Sequence, residues 1–100
     1  MDLSLFFNHN SIAIVGASHE NNKIGHLVAK NLIEQGYKGK IFLINNKFKG
    51  KILGKKVYSI LSEVKEKIDL VVFAVPATYI FPLIDEAANL NIKNVVIYAA

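Results

Sequence analysis

The sequence predicts an α/β fold, Rossmann-like and doubly wound, with a mostly parallel sheet and helices on both faces. Apolar runs rich in β-branched residues recur at Ser11–Val15, Lys40–Ile44 and 69–75, with another at 94–98. Segments with helical spacing separate them, and continuous apolar runs are expected of strands buried on both faces. Strand-helix-strand order specifies parallel pairing, and right-handed crossovers then restrict the topology.

The first helix is expected over 24–35, where Ile24, Leu27, Val28 and Leu32 repeat at helical spacing and Gly36 supplies a left-handed stop. Asn21 or Asn22 is the expected cap. A last helix is expected over 78–89, with Ile80, Ile84, Ala87 and Ala88 towards the sheet and Pro82 confined to the first turn. Between them, 58–64 reads as a short helix and Val57 as the end of a short strand.

One hundred residues, 52% of them hydrophobic, suit a single domain with one core. No apolar run approaches the roughly 20 residues of a membrane span, and the start lacks the features of a signal peptide, so the expected location is cytoplasmic. With no cysteine there is no disulfide or thiolate metal site. His9, His19 and His26 have no metal-ligand spacing. The sequence stops just after Val95-Val96-Ile97, where a ligand crevice is expected, which suggests an N-terminal piece of a longer protein.

The net charge is +4, carried unevenly: no acid lies between Glu34 and Glu63, while Lys38, Lys40, Lys47, Lys49, Lys51, Lys55 and Lys56 do. Such a stretch favours an anionic partner, whether nucleic acid, a membrane surface or a phosphorylated small molecule, and equally suits a solvated face. The absence of arginine and of any reading motif ranks nucleic acid last.

The segment from Ile12 through Gly16-Ala17-Ser18 to Lys23-Ile24-Gly25 has the order strand, glycine turn, helix start. Free backbone amides and the helix dipole would face an anion there, with Ser18 adding a hydroxyl and Lys23 a charge. The loop is longer than GxGxxG and is no Walker A motif. It also reads as an ordinary βα turn. After the second strand, where an NAD-binding domain carries an acid for the ribose, stand Asn45-Asn46-Lys47. A lysine there favours a phosphorylated ribose, as in coenzyme A or NADP. Val75-Pro76 closes a strand at the same edge and would shape the site. Ser11 and Ser18 lack a partner base, His19 and His26 read as surface residues, and no acid–base constellation is present.

Taken together, Phe6-Phe7-Asn8, the run from Ser11 to Ser18, Lys23-Ile24-Gly25, Gly36-Tyr37-Lys38-Gly39-Lys40, Asp69-Leu70-Val71, Val75-Pro76-Ala77 and Val95-Val96-Ile97 resemble a known family over nearly the whole chain. It is the CoA-binding domain of ADP-forming acetyl-CoA synthetases and related NDP-forming acyl-CoA synthetases, akin to the succinyl-CoA ligase alpha subunit. The resemblance implies coenzyme A as ligand and contacts from Gly16, Ala17, Ser18, Lys23 and Gly25. It implies further contacts from Asn45 and Lys47, from Val75 and Pro76, and from the end at Tyr98 and Ala99 along the pantetheine arm. The family's usual Asn-Pro-Lys is Asn45-Asn46-Lys47 here, a less rigid loop. The family's phosphorylated histidine lies in a later domain, so the 100 residues alone would be inert and act with other domains or a beta-type subunit. A protein acyltransferase, a stand-alone CoA or nucleotide sensor, and an NADP-dependent oxidoreductase fragment are the rival readings. Self-association to a homo-oligomer is expected of an exposed sheet edge.

Overall fold

A computed structural model describes residues 2–98. Six strands form one sheet: β1 (Ser11–Val15), β2 (Lys40–Ile44), β3 (Lys51–Ile52), β4 (Lys55–Tyr58), β5 (Leu70–Phe73) and β6 (Asn94–Ile97). Their order is β3-β4-β2-β1-β5-β6, with every pairing parallel except the β3–β4 hairpin. Helices α1 (Ile24–Glu34) and α2 (Ile80–Asn89) are the crossovers β1–β2 and β5–β6. Those crossovers run in opposite directions along the sheet, so right-handedness puts the helices on opposite faces. The fold is the predicted doubly wound α/β arrangement, with its topological switch between β1 and β5.

Alternation along the strands builds two cores. Ile12, Ile14, Leu43, Leu70 and Val72 meet Val28, Ala29 and Leu32 of α1, with Leu3 and Phe6 closing the same face. Ala13, Val15, Phe42, Ile44, Val71 and Phe73 meet Ile80 and Ala87 of α2 and Leu61, Val64 and Ile68 from the β4–β5 connection. Each fully buried Leu, Ile or Phe contributes about 1.5–3 kcal/mol of transfer free energy.

Both α-helices end by the same device. Gly36, at φ +83°, lets its own amide donate to Ile33 and that of Tyr37 to Leu32. Asn91, at φ 62°, does likewise for α2, with bonds from Asn91 to Ala88 and from Ile92 to Ala87. Pro82 is the third residue of α2, inside the first turn as required, where its missing N–H has no helical partner to lose.

Several expectations need correction. Neither Asn21 nor Asn22 caps α1: Lys23 is its N-cap and makes no side-chain capping bond. The buried face of α1 includes Gly25, His26 and Ala29, while Ile24 is exposed, because the helix presses its first turn onto the β1 loop. A 3-10 turn, Ala77–Tyr79, precedes α2, so the α-helix starts at Ile80 rather than residue 78. Ala88 faces solvent, and Leu83 joins Ile84 against the core. The helix expected over 58–64 shrinks to a 3-10 turn, Leu61–Glu63, because Tyr58 belongs to β4 together with Val57. The β3–β4 hairpin was not foreseen; its two-residue loop, Leu53-Gly54, has both residues at positive φ (53° and 75°), as a type I′ turn requires. The strands expected over 69–75 and 94–98 are shorter, and β6 is not buried on both faces: Val95 and Ile97 are exposed at the sheet edge.

Candidate functional site

The β1–α1 loop leaves the sheet at the switch point. Gly16 turns at φ +94°, and a β-carbon there would lie 2.2 Å from the carbonyl oxygen of Ala74. Gly25 fits equally tightly, since its β-carbon would lie 2.0 Å from the carbonyl oxygen of Gly16. Both glycines are therefore demanded by contact of the loop with β5 and with α1, before any ligand is considered. The amides of Gly16 and Ala17 are not free, contrary to the sequence-based expectation: both donate to the carbonyl of Ile44, at 2.9 and 3.1 Å. The free amides lie one residue further on, since among the described residues those of Ser18 and His19 have no protein partner.

Three side chains fasten this loop. Asn45 donates from Nδ2 to the carbonyl of Ala17 (2.8 Å), while its Oδ1 accepts from the amides of Lys47 (2.8 Å) and Phe48 (3.0 Å). These partners fix which end of the amide is oxygen and leave Asn45 a single free N–H. His26 is buried, and its Nδ1 lies 2.8 Å from the carbonyl of Ser18. A carbonyl only accepts, so Nδ1 carries the proton. His26 is thus no surface residue. The exposed His19 stacks on Phe48 (centroids 4.7 Å, planes 23° apart), joining the loops after β1 and β2. Ser18 Oγ accepts from the amide of Glu20 (3.0 Å) and keeps its own hydrogen to donate. Lys23 is exposed at the start of α1.

On the α2 side of Gly16 a crevice of about 420 Å³ opens over the carboxyl ends of β1, β2, β4 and β5. Its floor and walls are apolar, from Val15, Ile44, Ile60, Leu61, Val75, Pro76, Tyr79 and Leu83, and its polar groups are those of Asn45, Asn46, Lys47, Ser59 and Glu86. An apolar slot with few polar groups at a switch point is where an open α/β sheet binds a ligand. Of the foreseen site residues, Gly16, Asn45, Lys47, Val75 and Pro76 line it. Ser18, Lys23 and Gly25 sit on the α1 side, and Ala17 is fully buried in the α1-side core. Tyr98 extends the β5–β6 ladder by donating to Phe73 (2.8 Å) and packs on the α1-side core, away from the crevice. Ala99 lies outside the described residues.

Sequence reasoning missed the crevice wall from Ser59, Ile60 and Leu61 and from Tyr79, Leu83 and Glu86. Val57, Ile60, Leu61, Val64 and Ile68 recur at helical spacing, so the sequence there reads as a helix and hides the strand end and 3-10 turn that build this wall. Ser11, the other hydroxyl considered, is tied up at the opposite end of the sheet, donating to Lys67 and accepting from Asp69. Among the described residues there is no cluster of groups able to hold a metal and no helix long and apolar enough to cross a membrane.

Residues 10–100 match a family described as CoA binding domain. The chain is 38% identical over 105 residues to acetate–CoA ligase (ADP-forming) I subunit alpha of Pyrococcus furiosus, an alignment covering 100% of this chain and 22% of that protein. Over 90 residues it is 37% identical to acetate–CoA ligase (ADP-forming) of Methanocaldococcus jannaschii, covering 90% of this chain and 12% of that one. A solved structure of dinucleotide forming acetyl-coenzyme A synthetase 1 from Ca. Korarchaeum cryptofilum, in complex with phosphate and ADP, superposes with a TM-score of 0.88 at 35% identity, over 99% of this chain and 21% of that chain. The chain thus spans about a fifth or less of the length of these relatives.

Proposed function

The chain belongs to the CoA-binding domain family, and from that premise we propose that it holds coenzyme A across the carboxyl end of its sheet, as the CoA-carrying domain of a longer, ADP-forming acid–CoA ligase. Coenzyme A offers an adenine, a ribose 3′-phosphate, a 5′-diphosphate and a pantetheine arm. The 5′-diphosphate meets the free amides of Ser18 and His19, the Ser18 hydroxyl, Lys23 and the positive end of α1. The adenine enters the apolar crevice beside Ile44 and Leu61, with Val75 and Pro76 shaping its wall. Asn45 acts by holding the loop rather than by touching ligand. Tyr98 and Ala99 are assigned to the pantetheine arm on the family resemblance alone.

The observation that carries this reading is Lys47 at the crevice, in the position where NAD-binding domains place a carboxylate. No acid stands between Glu34 and Glu63 in the sequence, and the carboxylate of Glu86, which lines the same crevice, makes no ion pair with Lys47. A lysine there favours a phosphorylated ribose, and membership of the CoA-binding family makes the 3′-phosphate of coenzyme A its expected partner. The chain's own residues bind and orient; among the described residues no nucleophile has an activating base beside it. In a longer ligase, catalytic groups come from other domains or from a second subunit, a reading supported by the fraction of each relative that the chain spans. A cytoplasmic location is in keeping with that role and with the absence of cysteine.

Calorimetric titration tests the reading, with coenzyme A, dephospho-CoA and NADP as ligands. Coenzyme A should bind, and removing either the 3′-phosphate or the Lys47 charge (Lys47→Ala) should weaken it about tenfold, the size of one charge-assisted contact. Failure of coenzyme A to bind, or binding of NADP alone, rejects the proposal.

A further inference from the structure

We infer that His26 is a positioning residue for the anion site: its Nδ1–H holds the Ser18 carbonyl inward and thereby turns the His19 amide out towards the ligand. The inference rests on the CoA-binding reading above and assigns a role that neither the sequence motif nor the loop's glycines supply.

A trans peptide fixes its C=O and the following N–H in opposite directions. The Ser18 carbonyl points to Nδ1 of His26, a side chain only 7% exposed beneath the loop. The amide of His19, across the same peptide plane, therefore points away from the interior. The preceding peptide obeys the same constraint: the Ala17 carbonyl points to Asn45, so the Ser18 amide points away from Asn45. Two consecutive N–H groups are thus left without protein partners just ahead of α1, where an anion can accept from them. The stack of His19 on Phe48 fixes residue 19 from the other side. Were His26 unable to donate, the Ser18 carbonyl would lose a nearly buried partner and the 18–19 peptide would be free to rotate, bringing an oxygen rather than an N–H to the phosphate.

Two substitutions separate positioning from packing. His26→Phe keeps a planar ring and removes the donor; His26→Asn removes the ring and places Nδ2 where Nδ1 was. Coenzyme A affinity is measured by calorimetry, with adenosine 3′-monophosphate, which lacks the 5′-diphosphate, as the control ligand. The expected result is a CoA Kd raised about tenfold in His26→Phe, the size of one hydrogen bond to a charged group, and restored to within about threefold in His26→Asn. The control ligand should bind all three proteins alike. If His26→Asn binds more weakly than His26→Phe, or His26→Phe binds like the wild type, the inference is wrong while the CoA reading stands. Sodium pyrophosphate supplies a readout independent of coenzyme A: it should shift the backbone amide resonance of His19 in the wild type and not in His26→Phe. That result would uphold the positioning role even if coenzyme A failed to bind. Should His26→Phe not fold, His26→Leu carries the same predictions.

Discussion

Gly16 and Gly25 leave no room for a β-carbon, and this sets the sharpest predictions at the scale of single residues. A methyl group on Gly25 would meet the Gly16 carbonyl oxygen at 2.0 Å, and neither side of that contact is a flexible side chain. Gly25→Ala should therefore cost about 3 kcal/mol or more, at or beyond the upper end for overpacking. Gly36→Ala has a left-handed φ of +83° but open space around the new methyl, so it should cost only the conformational term, about 1–2 kcal/mol. Urea unfolding of the two variants checks the contrast, and similar losses would refute it. The sequence pointed to Gly16 and Gly25 correctly, but for a ligand's sake; their packing against Ala74 and against each other depends on β5 and α1, which no local motif reveals. His26 was misjudged for the same reason, since its burial comes from a loop that returns over it. Tyr37 gives a second prediction. Its hydroxyl donates to the His9 carbonyl at 2.7 Å, and burial, reinforced by the charge of Asp69, raises its pKa above the ordinary tyrosine value. The folded state thus prefers the neutral phenol, and this contribution is fully present below the unfolded pKa of about 10 and lost as pH rises through the higher folded value. The stability difference between wild type and Tyr37→Phe should be constant at neutral pH and shrink in that alkaline window; a difference independent of pH up to that range and through it would contradict the assignment.

At the scale of elements, the β3–β4 hairpin sets two like charges side by side. Lys51 and Lys56 are direct cross-strand partners, and Lys56 also lies over the ring of Tyr58, 4.7 Å from its centre. Opposed like charges destabilise a pair, and an opposite-charge pair gains about 0.2–1 kcal/mol. Lys51→Glu should therefore stabilise the protein by an amount in that range, larger at 10 mM than at 500 mM salt because the pair is exposed and screened. Thermal unfolding at the two salt levels measures it, and an unchanged midpoint at low salt would count against it. This hairpin was also the least legible element. A type I′ turn announces itself through Asn-Gly or Asp-Gly, and Leu53-Gly54 is neither. The strands are two and four residues long and half lysine, too short to carry an apolar period. By contrast, β1, β2, β5 and α1 were legible because each buries a side-chain set long enough to leave its period in the sequence. The crevice inherits both outcomes: its β1, β2 and β5 walls were foreseen, and the wall after β4 was not.

At the scale of the whole molecule, the two edges of the sheet differ. The β3 edge is two residues long, carries Lys51, and is twisted by a tight turn, all features that discourage a further strand from adding. The β6 edge is four residues long, and its side chains on the α2 face, Val95 and Ile97, are 39% and 45% exposed. Both are in register with the buried Val71 and Phe73 of β5, so the apolar surface of the core runs on to this edge without a charge to interrupt it. An unblunted edge with an apolar face is a template for pairing, and a second copy of the same edge is always present. The isolated 100-residue protein should therefore associate reversibly at concentrations on the order of hundreds of micromolar. Ile97→Lys should weaken that association at least about tenfold, because a dimer pairing the two edges would have to bury added charge where it now buries apolar surface. Since the side chain is nearly half exposed, the same substitution should alter folding stability by no more than about 0.5 kcal/mol. Sedimentation velocity over a concentration series distinguishes the outcomes: a wild type that stays monomeric throughout, or an Ile97→Lys variant that associates equally well, would place the association surface elsewhere or remove it, while loss of association with unchanged unfolding assigns it to β6.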